Sequence, residues 1–160
     1  MRVVVHEDPV GRAETNWIAR IALEPFGFEG LWEQVWLRRT GDDLAMMCCI
    51  PLRAYGVARG DVVRLSADGS TVTEVVERSG RRVLRALLTD QRDEDVAEIA
   101  AEVTAIGART GVPLEWSEVR LVAIDVSPEV DTAGVLGYLA GLAEAGRLEW
   151  EWGEAGPFVA

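Results

Sequence analysis

A chain of 160 residues, 49% hydrophobic and 27% charged, can bury one good core or two small ones packed together, as an ordinary globular protein does. No apolar run approaches the roughly 20 residues of a membrane span, and MRVVVHEDPV is too briefly apolar for a signal peptide, so a cytoplasmic protein with reduced thiols is expected. The net charge of −11 disfavours nucleic acid and anionic membranes as direct partners, because binding to either begins with neutralising phosphate.

The charge is unevenly placed. Residues 1–89 carry 12 acids and 12 arginines, whereas residues 90–160 carry 15 acids and 4 arginines. The front is balanced and the back is anionic.

In chain order, VVVH reads as a first strand ended by Pro9, and NWIARIALE as a second that stops at the PFGFEG turn. LWEQVWLRR and LAMMCCI read as a hairpin around TGDD, with Leu31, Glu33, Val35 and Leu37 on one side of the first arm. GDVVRLSA and TVTEVVER form another hairpin around Asp68-Gly69. This is the pattern of a small antiparallel β-barrel or curled sheet over residues 1–79.

Past ERSGRR the periodicity changes. RVLRALL is a strand, and DEDVAEIAAEVTAIGART places Val96, Ile99, Ala100, Val103 and Ile106 at helical spacing, with acids in the first turns and Gly111 and Pro113 as the stop. PLEWS and VRLVAIDV are strands. Asp131 is the expected N-cap of a helix over TAGVLGYLAGLAEA, buried through Val135, Leu136, Leu139 and Leu142 and stopped at Gly146. RLEWEW closes as an alternating strand. The expected class is therefore α+β, a barrel or curled sheet followed by a ferredoxin-like βαββαβ unit over residues 80–160.

The candidate chemistry is sparse. A strand over residues 44–50 sends Cys48 and Cys49 to opposite faces, so they cannot serve one site together. No second cysteine pair is present to complete a metal site, and flanking Met46, Met47 and Ile50 make core the natural reading of both thiols. A catalytic alternative pairs Cys48 or Cys49 with His6, the single histidine, or with Glu33. His6, Glu7 and Asp8 are an acid–base set, weak metal ligands or, more simply, a solvated strand end. Glu33, if inward, needs a partner such as Arg20 or Arg64. Leu148, Trp150 and Trp152 share one face of the last strand, expected either under the helices, with Glu149 and Glu151 on the open face, or packed on the barrel half. No phosphate loop, nucleophile elbow or zinc-helix motif appears, and neither a cofactor nor a metal is expected.

VHEDP, EQVW, CCIPLRAYGVARGDVV and SGRRVLR together resemble an uncharacterised bacterial family, domain of unknown function 4265, which implies no assigned activity. The second half, ending GRLEWEWGE, also resembles the ferredoxin-like regulators of ribonuclease E activity, which implies an acidic, non-catalytic protein that binds an enzyme.

The expected function is a non-enzymatic acidic binding protein, a regulator or immunity-type inhibitor, engaging a basic protein surface. Its contacts would be Asp93, Glu94, Glu98 and Glu102 on the first helix with Glu115, Glu149 and Glu151 on the sheet. The alternatives are the small cysteine-dependent enzyme, or a small-molecule binder with its pocket between the halves, lined by Trp and Tyr55.

Overall fold

A computed structural model describes residues 1–90 and 92–154. Gln91 and residues 155–160 of the expected second unit lie outside the described residues. Among those described, ten strands in two sheets and two α-helices make a mixed α+β fold.

The first sheet is organised by its longest strand. β1 (Arg2–Val4), β2 (Trp17–Ala22), β3 (Leu31–Arg39), β4 (Leu44–Met47), β5 (Val62–Leu65) and β6 (Val72–Glu77) follow in chain order. β3 pairs its first three residues with β1, its last three with β4, and residues 32–37 with β2. The β1 pairing is parallel, so the expected wholly antiparallel sheet is corrected at its first strand. A barrel is also corrected. β2 and the start of β6 meet through a single isolated bridge, Arg20 to Thr71, instead of a full ladder, so the sheet curls without closing. Alternation along β3 buries Glu33, Val35 and Leu37 as the sequence pattern requires.

The second sheet comprises β7 (Arg82–Leu88), β8 (Leu114–Ser117), β9 (Leu121–Val126) and β10 (Leu148–Trp152), in the order β10-β7-β9-β8 with every pairing antiparallel. α1 (Asp93–Thr110) and α2 (Ala133–Glu144) pack on one face through Val96, Ile99, Val103, Val135 and Leu139 against Leu84, Ala86, Val122 and Ile124. α1 ends at Gly111, whose φ of 72° is the left-handed conformation that frees the last carbonyls for capping. The N-cap of α2 is Thr132, not Asp131. Asp131 still helps, because its Oδ1 accepts the Ala133 N–H at 2.9 Å.

Between the sheets lies a segment that is neither helix nor strand. The strand expected over residues 44–50 ends at Met47, and residues 48–60 run irregularly through the interior, most of them buried and Arg53, Tyr55, Arg59 and Gly60 partly so. Ile50, Leu52 and Ala58 pack against Val83 and Ala123, the face of the second sheet turned away from its helices. The two halves thus share a core.

Candidate functional site

Buried backbone outside regular structure has no ladder to satisfy it and turns to side chains and isolated backbone groups. Residues 48–60 do so with charged groups contributed by both sheets. Glu33 on β3 accepts the N–H groups of Leu52 at 2.6 Å, Arg53 at 2.9 Å and Ala54 at 2.8 Å. Glu115 on β8 accepts that of Ile50 at 2.6 Å. Asp61 accepts the N–H of Ala58 at 2.9 Å and, from the linker before β7, that of Ser79 at 2.7 Å. On the acceptor side, Arg85 on β7 donates to the carbonyls of Ala54 at 2.8 Å and Pro51 at 3.4 Å, stacks on the Tyr55 ring and pairs with Glu151 at 3.0 Å.

His6 ties the two glutamates together. Its Nδ1 lies 2.7 Å from Glu115 Oε1 and its Nε2 lies 2.9 Å from Glu33 Oε1, with all three side chains buried. An ionised carboxylate only accepts, so both ring nitrogens donate and the imidazole is held as a cation. Burial opposes that charge, while the adjacent Cys49 sulfur and the hydrogen bonds to Glu115 and Glu33 favour it and win, raising His6 far above its usual range. Glu33 is lowered despite complete burial, because His6 and the backbone donors outweigh desolvation. The expected partners Arg20 and Arg64 are elsewhere. Arg20 stacks on Trp32, and Arg64 joins Asp43 and Glu74 on the surface.

The residues of the catalytic alternative are brought together in part, and buried. Cys49, His6 and Glu33 converge, with the two His6 nitrogens hydrogen-bonded to Glu33 and Glu115. No face of the cluster opens to solvent. Cys48 stands apart and donates to the Met46 carbonyl at 3.5 Å, and burial pushes its thiol upward. Both thiols are expected to stay unreactive toward a thiol reagent in the folded protein and to titrate as two on unfolding. Rapid labelling of either at neutral pH in native buffer would restore a nucleophile. Among the described residues no group of three or more His, Cys, Asp or Glu side chains is arranged to hold a metal ion.

The acids expected to bind a partner do not share one surface. Glu115 is 4% exposed and engaged with His6, so it cannot meet a partner. Glu149 and Glu151 project on the opposite side of β10 from Trp150 and Trp152. The two Trp rings lie beside Leu136 and Ala140 of α2, while Glu151 meets Tyr55 and Arg85 toward the first half. Being on an edge strand, Trp150 is 55% exposed and not covered as expected. Asp93, Glu94, Glu98 and Glu102 stand exposed on α1, beyond the other face of that sheet. Asp93 and Glu94 have surface ion pairs with Arg120 and Arg92, and Glu102 lies 3.7 Å from Arg109. Such exposed pairs restrain little.

Glu94, Glu98 and Glu102 repeat every fourth residue and so form a strip along the helix. Beside it, a groove of about 880 Å³ runs between α1 and β8. Ala97, Ala101, Ala105, Trp116 and Val119 line it, the last 70% exposed, and Asp93 and Glu118 sit at its rim.

A model of the family described as Domain of unknown function (DUF4265) matches residues 33–150, most of the chain and the whole of the buried segment. The chain belongs to that family. The matched span of DUF4265 contains Glu33, Cys49, Arg85 and Glu115 but begins after His6. The chain is also similar to a hypothetical protein from Neisseria gonorrhoeae of known crystal structure, with a TM-score of 0.64 at 16% identity over 88% of this chain and 95% of that one. At that identity the likeness shows the fold alone. No curated protein matches. The likeness to the regulators of ribonuclease E activity has no counterpart in these findings.

Arg85, Asp61, Asp125 and the inward role of Glu115 escape a reading by motif. Their signal is a charge set within apolar strand alternation, as in RVLRALL, LEWS and VAIDV, the same signal that marks Glu33. Asp125, buried on β9, pairs with Arg59 at 3.1 Å and with Arg81, and so ties the first half to the second a further time.

Proposed function

We propose that the protein is a non-enzymatic binding protein, a regulator or immunity-type inhibitor, whose α1 face engages a basic surface on a partner protein. The observation that carries this reading is the exposed carboxylate strip Glu94, Glu98 and Glu102 alongside the apolar groove of Trp116 and Val119. A basic segment with an apolar face would set its aliphatic side chains in the groove and its cations on the strip. The sealed Cys49–His6–Glu33 cluster supports a binding role over a catalytic one. The strand order β10-β7-β9-β8 with both helices on one face is that expected of a ferredoxin-like unit, and we assign the second half to it. Two neighbouring unpaired thiols suit a reducing compartment, and the proposal places the protein in the cytoplasm.

The test compares capture from host lysate by the wild-type chain and by a Glu94→Lys/Glu98→Lys/Glu102→Lys variant. A basic partner should be held at low salt, be released as ionic strength shortens screening below about 8 Å, and be lost with the variant. A partner indifferent to salt and to the charge reversal, or no partner at all, overturns the reading.

A further inference from the structure

We propose a second, separate site: the cleft between the two halves binds a small zwitterion with an apolar body, of the amino-acid class. The cleft is about 270 Å³, near the lower end of ligand pockets at roughly 300 Å³, which suits a single amino acid or a dipeptide and not a macromolecule. Leu52, Arg53 and Tyr55 of the buried segment form one wall, and Leu87, Glu149 and Glu151 of the second sheet form another.

Its charges divide into a group paired with one another and two that are not paired. Glu151 is closed off by Arg85 at 3.0 Å and by the Tyr55 hydroxyl, which donates to both carboxylate oxygens at 2.7 and 2.6 Å. Burial and the Glu151 carboxylate raise the Tyr55 phenol, so it remains a donor at neutral pH. The Arg53 guanidinium and the Glu149 carboxylate line the same cleft, and neither forms an ion pair or side-chain hydrogen bond among the described residues, not even with the other. Opposite charges facing one small cleft without meeting are complementary to a molecule that carries both signs. The ligand carboxylate would take the Arg53 fork, which suits a planar carboxylate, and its ammonium would take Glu149. Leu87, 41% exposed, offers an apolar surface for the ligand body with Phe28 and Leu121. The Arg53 backbone N–H is fixed by Glu33, so the root of this side chain is set by the buried network while its tip is free.

The experiment is calorimetric titration of the full chain with L-leucine, L-phenylalanine and leucyl-glycine, and with N-acetyl-leucine and leucine amide, each of which lacks one charge. At least one zwitterion should bind saturably at millimolar concentrations or below, and both single-charge analogues should bind more weakly. Arg53→Gln should weaken the zwitterion by roughly tenfold, the scale of one charge-assisted hydrogen bond, and leave leucine amide unchanged. Glu149→Gln should weaken the zwitterion to a similar degree and leave N-acetyl-leucine unchanged. Neither side chain holds the fold together, so both variants should melt with the wild type. Saturable binding that favours the free amino acid over leucyl-glycine, or the reverse, identifies the source. No saturation by any zwitterion, or binding that ignores both variants, overturns the proposal.

Discussion

Replacing His6 with Gln is expected to destabilise the protein by about 3–5 kcal/mol, because two buried carboxylates lose the cation between them. In a chain of this size that lowers Tm by roughly 10 °C or more, measurable by calorimetry. Glu33 would still hold three backbone N–H groups and Glu115 one, so Glu115 is the less satisfied of the two. Adding Glu115→Gln should therefore recover part of the loss, and the double variant should be more stable than His6→Gln alone. The coupling should fall within roughly 0.5–3 kcal/mol. Additive losses would mean that the three side chains do not act as one unit.

The same unit sets a pH profile. His6 is raised above 6.5, so its contribution is complete below pH 6.5 and is lost as pH climbs toward the folded value. Glu33 is lowered from 4.5, so its contribution is complete above pH 4.5 and is lost as pH falls through its folded value. Chemical denaturation should therefore find this contribution greatest between pH 4.5 and 6.5, and His6→Gln should lack the decline on the alkaline side. Wild-type stability that rises steadily above pH 6.5 would contradict a cationic imidazole.

Gly11→Ala is the second large effect. A Cβ at Gly11 would sit 2.2 Å from the Cys48 carbonyl oxygen and 3.0 Å from the Cys48 carbonyl carbon, so backbone has to move against backbone. The cost should lie near the top of the overpacking range, about 3 kcal/mol, because Cys48 opens the buried segment and cannot shift independently of it. Gly137→Ala in α2 is the contrast. Its Cβ meets nothing within 4 Å, and the lost backbone freedom of glycine should yield a gain of roughly 0.5–1 kcal/mol. Equal behaviour of the two variants in urea would show that the approach of Gly11 to Cys48 is not tight.

Periodicity carried much of the architecture. β3, α1, β9 and β10 lie close to where the apolar pattern puts them; β3 and α1 bury one face, whereas β9 is buried on both. The segment after Met47 was misread as strand. Its Cys-Cys-Ile run has strand-like composition, but its backbone partners are Glu33, Glu115, Asp61 and Arg85, which come from as far as 65 residues away in sequence. Local pattern cannot report a partner that distant. The acidic set divided for the same reason. Composition counts Glu115 with Glu149 and Glu102, but strand alternation and the covering first half send one inward and the others to different faces. His6 and Glu33 enter the sequence reading only as alternative partners of a cysteine; neither their pairing nor its closure by Glu115 is legible there.

The separation of 109 residues between His6 and Glu115 also bears on the order of assembly during synthesis. While the ribosome has made only the front sheet, the imidazole has Glu33 but not its second carboxylate, and the Ile50 amide has no acceptor from β8. The buried segment therefore cannot complete its hydrogen bonds until the later strands emerge. Its last tight closure is a long-range event, the kind that slows folding and lengthens the interval in which a nascent chain depends on protection from aggregation.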